Sequence, residues 1–90
     1  MMNRTDILLL VALASNNADS PCYGLSITEI MDYITENGCT KTRMTVYRRI
    51  KRLVSIGYVA KGVLDDHADT FYILDTGKDF LKGSERKENK

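Results

Sequence analysis

The stretch TRMTVYRRIKRLVSIGYV, residues 42–59, carries Arg43, Arg48, Arg49, Lys51 and Arg52 and contains no acid. Side chains of these types bind anions. A guanidinium grips a phosphate or a guanine edge with two parallel N–H donors, whereas an ammonium neutralises a phosphate as a point charge. The chain as a whole has a formal net charge of only +1, so the signal lies in where the charge sits rather than in how much there is.

Taking about 100° per residue, Val46, Ile50, Leu53 and Val54 fall on one helical face. Met44, Arg48, Lys51 and Ser55 fall opposite, with Thr45 and Arg52 on one flank and Tyr47 on the other. One side suits a core and the other is a cationic strip facing solvent. Such a helix fits the DNA major groove with its N-terminal part toward the bases. Met44, Thr45 and Arg48 are therefore expected near base edges, with Met44 suited to a thymine methyl. Lys41, Arg43, Lys51 and Arg52 are expected at phosphates, which fix register without reading sequence. Thr42 is the expected N-cap, and Lys61, farther along, is a further candidate for a phosphate. Tyr47 is expected to lay its ring on the preceding helix with its hydroxyl outward. Arg49, at the margin of the buried face, is expected to pair with Glu29 or Asp32, with a DNA contact as the equal alternative. The plain competing reading of the whole strip is a solvated helix face.

Other chemistry finds little support. DDHAD, residues 65–69, gathers Asp65, Asp66, His67 and Asp69, but His67 is the single histidine of the chain and turn side chains splay into solvent. A solvated turn is expected, and no metal. Cys22 and Cys39 lack the paired spacing of a zinc site and are too few for a disulfide framework, so free thiols are expected. No partnered nucleophile and no glycine-rich phosphate loop is present. The sequence therefore points away from an enzyme and implies no cofactor.

These residues need elements to hold them. NRTDILLLVALASNN reads as a helix capped by Asn3 or Thr5, with Asp6 suited to the positive end of the dipole and Asn16-Asn17 at the stop. Its run ILLLVALA, residues 7–14, is apolar on every side from Ile7 to its last residue, Ala14. A core needs only one stripe, so the excess predicts a homodimer through this helix. The run is too short to span a bilayer, and only Arg4 precedes it in the manner of a signal peptide, so a cytoplasmic protein without membrane contact is expected.

After a loop marked by Pro21 and Gly24, ending in a very short strand, SITEIMDYITENG reads as an amphipathic helix. Ile27, Ile30, Met31 and Ile34 share its inner face, Ser26 or Thr28 caps it and Gly38 ends it. The third helix then runs from about Arg43 to a stop at Gly57. YVAKGVL and TFYIL read as two strands of a hairpin around the acidic turn. DTGKDFLKG begins a short last helix with Phe80 and Leu81 inward, and 83–90 reads as a charged, fraying tail. Ninety residues, 43% apolar and 28% charged, suffice for one domain, spanning 1–82. The order is mainly α with a small β-hairpin: a winged helix-turn-helix, a three-helix core plus wing.

Three segments, in the right order, carry a family resemblance. PCYGLSITEIM resembles the Tyr-Gly-x-x-Ile lead-in to the second helix of PadR-like transcriptional regulators, and TVYRRIKRLVSIGYV resembles their recognition helix and first wing strand. FYILDTGKDFL is similar to the second wing strand and Thr-x-x-Gly-x-x-x-Leu ending shared by PadR-like and MarR-like proteins. The resemblance implies a dimeric repressor that binds operator DNA, often under a small aromatic effector, with Thr45, Tyr47 and Arg48 at the DNA surface. Two features depart from that pattern: the long C-terminal dimerisation helix is missing, and the wing turn is acidic.

Sequence alone thus predicts a homodimeric, sequence-specific repressor reading a pseudopalindrome in double-stranded DNA. The sequence itself marks no effector site. Two rivals stand beside this reading. One is a protein-interaction module of phage or mobile-element type, using the basic helix and the acidic wing on protein partners. The other is DNA work in plasmid partition or replication control.

Overall fold

A computed structural model describes residues 2–64 and 68–88. Its first helix, α1 (Arg4–Ser15), begins at a capping box. The Asn3 side-chain oxygen accepts from the Asp6 N–H at 2.9 Å, and the Asp6 carboxylate accepts from the Asn3 N–H at 3.1 Å. Two otherwise orphaned donors are thereby satisfied. Asn3, not Thr5, is the cap.

A single 3-10 turn (Pro21–Tyr23) leads to β1 (Leu25–Ser26), and α2 (Ile27–Glu36) follows at once. Ser26 caps α2 in a second box with Glu29. The inward row is Ile27, Ile30 and Ile34, with Met31 half-buried beside it. Helix α3 (Arg43–Ser55) starts at Thr42, whose hydroxyl accepts from the Thr45 N–H. It buries Val46, Ile50 and Leu53 completely. Both amphipathic helices match the periodicity of their sequences.

The wing is a three-stranded antiparallel sheet in the order β1-β3-β2, with β2 at Val59–Lys61 and β3 at Thr70–Ile73. Leu25 pairs with Phe71, and Val59 with Ile73. The expected hairpin is therefore present, but β1 docks on its far edge and makes β3 central. The first wing strand is shorter than YVAKGVL suggested. Beyond Lys61, the Val63 N–H donates to the Pro21 carbonyl at 3.0 Å and so leaves the ladder. Asp65, Asp66 and His67 of the acidic turn lie outside the described residues.

The last helix, α4 (Asp75–Glu88), follows β3 and runs past residue 83. It is locked to the rest at its start. The Thr76 hydroxyl donates to the Gly57 carbonyl, Lys78 Nζ lies 2.9 Å from Asp19, and the Tyr58 and Phe80 rings sit 5.4 Å apart.

One core joins all these elements. It is built on Leu9, Leu10, Leu13, Ile30, Ile50 and Phe71, none with any exposed surface. Each such side chain contributes about 1.5–3 kcal/mol by leaving water. Helix α1 runs through the middle and packs on α2, α3, α4 and β3. This corrects the reason given for dimerisation: the monomer itself absorbs most of the apolar excess of α1. Leu8, Val11 and Ala14 are half-buried, and of the run from 7 to 14 only Ile7, at 36%, is exposed.

Candidate nucleic-acid interface

The outward face of α3 is set by its docking. With Val46, Ile50 and Leu53 inward, Met44, Tyr47, Arg48, Lys51 and Arg52 are all exposed. Helical side chains lean toward the N-terminus, and two contacts one turn apart show it. Arg48 Nη2 lies 3.5 Å from the Met44 sulfur, and Lys51 Nζ stands 5.9 Å from the centre of the Tyr47 ring. Each cation is thus laid back over a soft apolar group, which gathers charge and apolar surface at the same end of the helix. Lys41 and Thr42 are exposed just ahead, in the connector from α2. Thr45 is half-buried, and its hydroxyl accepts from that of Thr42 at 2.9 Å.

The other arginines of the segment are differently employed. Arg43 donates from Nη1 to the Thr28 hydroxyl at 3.1 Å, linking the first turns of α3 and α2. Arg49 forms a two-pronged ion pair with Asp6 of α1; its Nε donates at 2.7 Å, and Nη2 contacts the second oxygen. The Asp6 side chain is completely buried and that of Arg49 is 27% exposed. Burial alone would raise the Asp6 carboxyl. The Arg49 hydrogen bond, the Asn3 amide and the charges of Arg49 and Arg52 outweigh it and hold the group below its ordinary value. The same pairing raises Arg49. The expected partners on α2, Glu29 and Asp32, are thereby corrected: Arg49 faces α1 and belongs to the scaffold.

Tyr47 is 42% exposed and borders a cleft of about 710 Å³. Ser26, Ile27 and Thr28 of the β1–α2 junction form one wall, Arg43, Met44 and Tyr47 a second, and Ala68 and Asp69 of the wing a third. The walls come from three separated segments, so no local sequence pattern marks this cleft. Lys61 lies on the wing strand rather than with the helix, and its ammonium is 3.5 Å from the Asp69 carboxylate. The expected phosphate ligand therefore already has a counter-charge.

Cys22 is exposed, Cys39 is half-buried, and both are free thiols. Among the described residues no three His, Cys, Asp or Glu side chains gather as a metal site would require. Nor, among those residues, is any helix long and apolar enough to cross a membrane.

A three-helix core with its third helix facing outward, a three-stranded wing and a fourth helix packed on α1 define a winged helix-turn-helix. Solved structures share it. The DNA-binding TubR fragment from Clostridium botulinum superposes with a TM-score of 0.70 at 24% identity, over 92% of this chain and 96% of that one. F-93 of SSV1 gives 0.65 at 17% identity, over 99% and 96% respectively. The ferric uptake regulator of Francisella tularensis gives 0.65 at 19% identity over 81% of this chain, which spans only 52% of that regulator. At such identities the likeness is one of fold. No family model and no curated protein matches the sequence.

Proposed function

We propose that this chain is a sequence-specific double-stranded DNA-binding transcriptional regulator, a cytoplasmic homodimeric repressor of PadR-like or MarR-like type. In this reading α3 enters the major groove. Met44, Thr45 and Arg48 meet base edges, Lys41, Arg43, Lys51 and Arg52 meet phosphates, and Thr42 and Tyr47 border the same surface. Lys61 approaches the backbone from the wing. A dimer would place two such helices in successive grooves about 34 Å apart and read a pseudopalindrome, blocking polymerase where it must sit.

The observation that carries the reading is the docking of α3. An acid-free helix turns its apolar row fully into the core and leaves Arg48, Lys51 and Arg52 in solvent. A protein of near-zero net charge thereby presents a concentrated cationic strip. The names of two fold neighbours, a DNA-binding fragment and a regulator, support the same direction. The strip left on α1 for a second copy, Ile7 with parts of Leu8 and Val11, is narrow, so the dimer rests on the logic of palindromic reading.

Selection from a randomised duplex library at physiological salt tests the proposal, since non-specific binding is weakened there. Enrichment of an inverted repeat with half-sites one helical turn apart is the expected result. Retention without a consensus would indicate architectural or partition-like binding. No retention would hand the strip to an acidic protein partner, a reading that the acids of the wing favour. Arg48→Glu with Arg52→Glu should abolish retention while leaving the circular dichroism spectrum unchanged.

A further inference from the structure

The exposed tip of α3 carries an unusual mixture for a surface meant to read DNA by hydrogen bonds. Met44 is 62% and Tyr47 42% exposed, side by side at the mouth of the cleft. Of the cations on the first turns of α3, Arg43 is tethered to Thr28 and Arg49 to Asp6. Only Arg48 remains with its guanidinium on the outward face and no stronger partner than a thioether. The hydroxyls of Thr42 and Thr45 are joined to each other, with the Thr42 oxygen also accepting from the Thr45 amide. Of the two hydroxyls only that of Thr45 keeps its proton for an outside acceptor.

We infer that the tip of α3 reads methyl groups: Met44 and Tyr47 receive thymine methyls in the major groove, and Arg48 grips one adjoining guanine, so that each half-site is thymine-rich around a single guanine. This rests on the DNA-binding reading above and names the substrate of that same surface.

The choice of occupant follows from the chemistry around the cleft. Its apolar wall includes Ile27, Met44 and Tyr47, yet Arg43 lines it and Arg48 and Lys51 lie over Met44 and Tyr47 respectively. Among the described residues the one carboxylate of the lining, Asp69, stands on the wing side with Lys61 at 3.5 Å. On the α3 side, therefore, an apolar surface overlaid with cations complements a polyanion that also offers apolar groups. In B-DNA the major groove offers one apolar group, the C5-methyl of thymine. Met suits it because a flexible thioether adapts to a small methyl without demanding a fixed shape. Arg48 sits one turn beyond Met44 on the same row, so its bidentate reach falls on a neighbouring base pair.

The test replaces thymine by deoxyuridine, one position at a time, in the duplex enriched by the selection. This removes a methyl and preserves pairing, charge and hydrogen-bonding edges. The expected result is a loss of about three- to tenfold in affinity at one or two positions per half-site, the size set by burial of one methyl. With Met44→Ala, one of those losses should vanish, because the protein no longer distinguishes thymine from uracil there. With Arg48→Ala, discrimination at the guanine should fall instead, while sensitivity to deoxyuridine persists. If every deoxyuridine duplex binds the wild-type protein as the parent does, methyl reading is wrong and DNA binding stands. If the library yields no bound duplex at all, both fall. A loss that Met44→Ala leaves unchanged at every position, and that Tyr47→Ala also leaves unchanged, would mean another residue reads the methyls and would overturn the assignment.

Discussion

Arg49 looks like part of a binding strip and works as a bolt. Its neighbours Arg48 and Lys51 face solvent, but its own guanidinium reaches forty-three residues back in the chain to Asp6. Asp6 in turn is held by the Asn3 amide, so cap, first helix and third helix meet at one carboxylate. Replacing Arg49 with Met leaves that carboxylate buried without its charge partner. The expected cost is about 2–4 kcal/mol, below the loss for a fully buried pair because Arg49 keeps some contact with water. A urea denaturation midpoint measures it. The pH dependence has a definite sign. The folded carboxyl lies below its ordinary value of 3.8, so the folded state favours the charged form. Its contribution is complete above that value and is lost as the pH falls through it toward the folded value. The wild type should therefore lose more stability on acidification from about pH 5 to pH 3 than Asp6→Asn, whose side chain cannot titrate there. Equal losses in the two proteins would remove Asp6 from the account.

At the scale of elements, what was legible was local. The caps at Asn3, Ser26 and Thr42, the inward rows of α2 and α3 and the stop at Gly57 each depend on residues within a turn or two of one another. What was not legible needed partners from elsewhere in the chain. The very short strand expected after Gly24 is Leu25–Ser26, but two residues are too few to name a partner, and they pair because Phe71 and Thr70 pass alongside. The ILLLVALA run looked overly apolar because nothing in its own sequence says that four other elements surround it. The tip of α3 was half-visible: Met44 and Arg48 fall on the outward row by spacing, whereas the tethers of Arg43 and Arg49 do not. Two glycines at the α3–β2 corner separate backbone from packing effects. Gly57 has φ +88°, and a Cβ there would meet nothing within 4 Å, so Gly57→Ala should cost about 1 kcal/mol through the left-handed conformation alone. At Gly77 a Cβ would stand 2.7 Å from the Tyr58 carbonyl oxygen and 2.8 Å from Ile73 Cγ1. There Gly77→Ala should cost about 2 kcal/mol or more, because α4 must move off the corner. Asn separates the two causes: it tolerates positive φ, so Gly57→Asn should melt close to wild type and Gly77→Asn well below it.

For the whole molecule the salt dependence of the proposed DNA complex would report how many protomers act and which cations count. Lys41, Arg43, Lys51 and Arg52 are exposed, and in the proposed complex they neutralise phosphates from each protomer. The Thr28 contact of Arg43 is a neutral hydrogen bond and leaves its charge intact. A dimer then releases counterions from roughly eight phosphates and gives a slope of log K against log salt near −7, while a single protomer gives about half that. Lys61 stands apart, since its charge is opposed by Asp69 at 3.5 Å. With that pairing intact the wing contributes little to the slope. Asp69→Asn frees that ammonium and should steepen the slope by about one unit for each protomer bound, with tighter binding at low salt. Asp69 also lines the cleft beside Met44 and Tyr47, which offers a second route by which its removal would act, through the choice of bases. The two effects part under selection: relief of repulsion strengthens every sequence alike, whereas a role in readout changes the consensus. An unchanged slope in Asp69→Asn would show that the wing stays clear of the backbone, leaving α3 and its connector to carry the electrostatics alone.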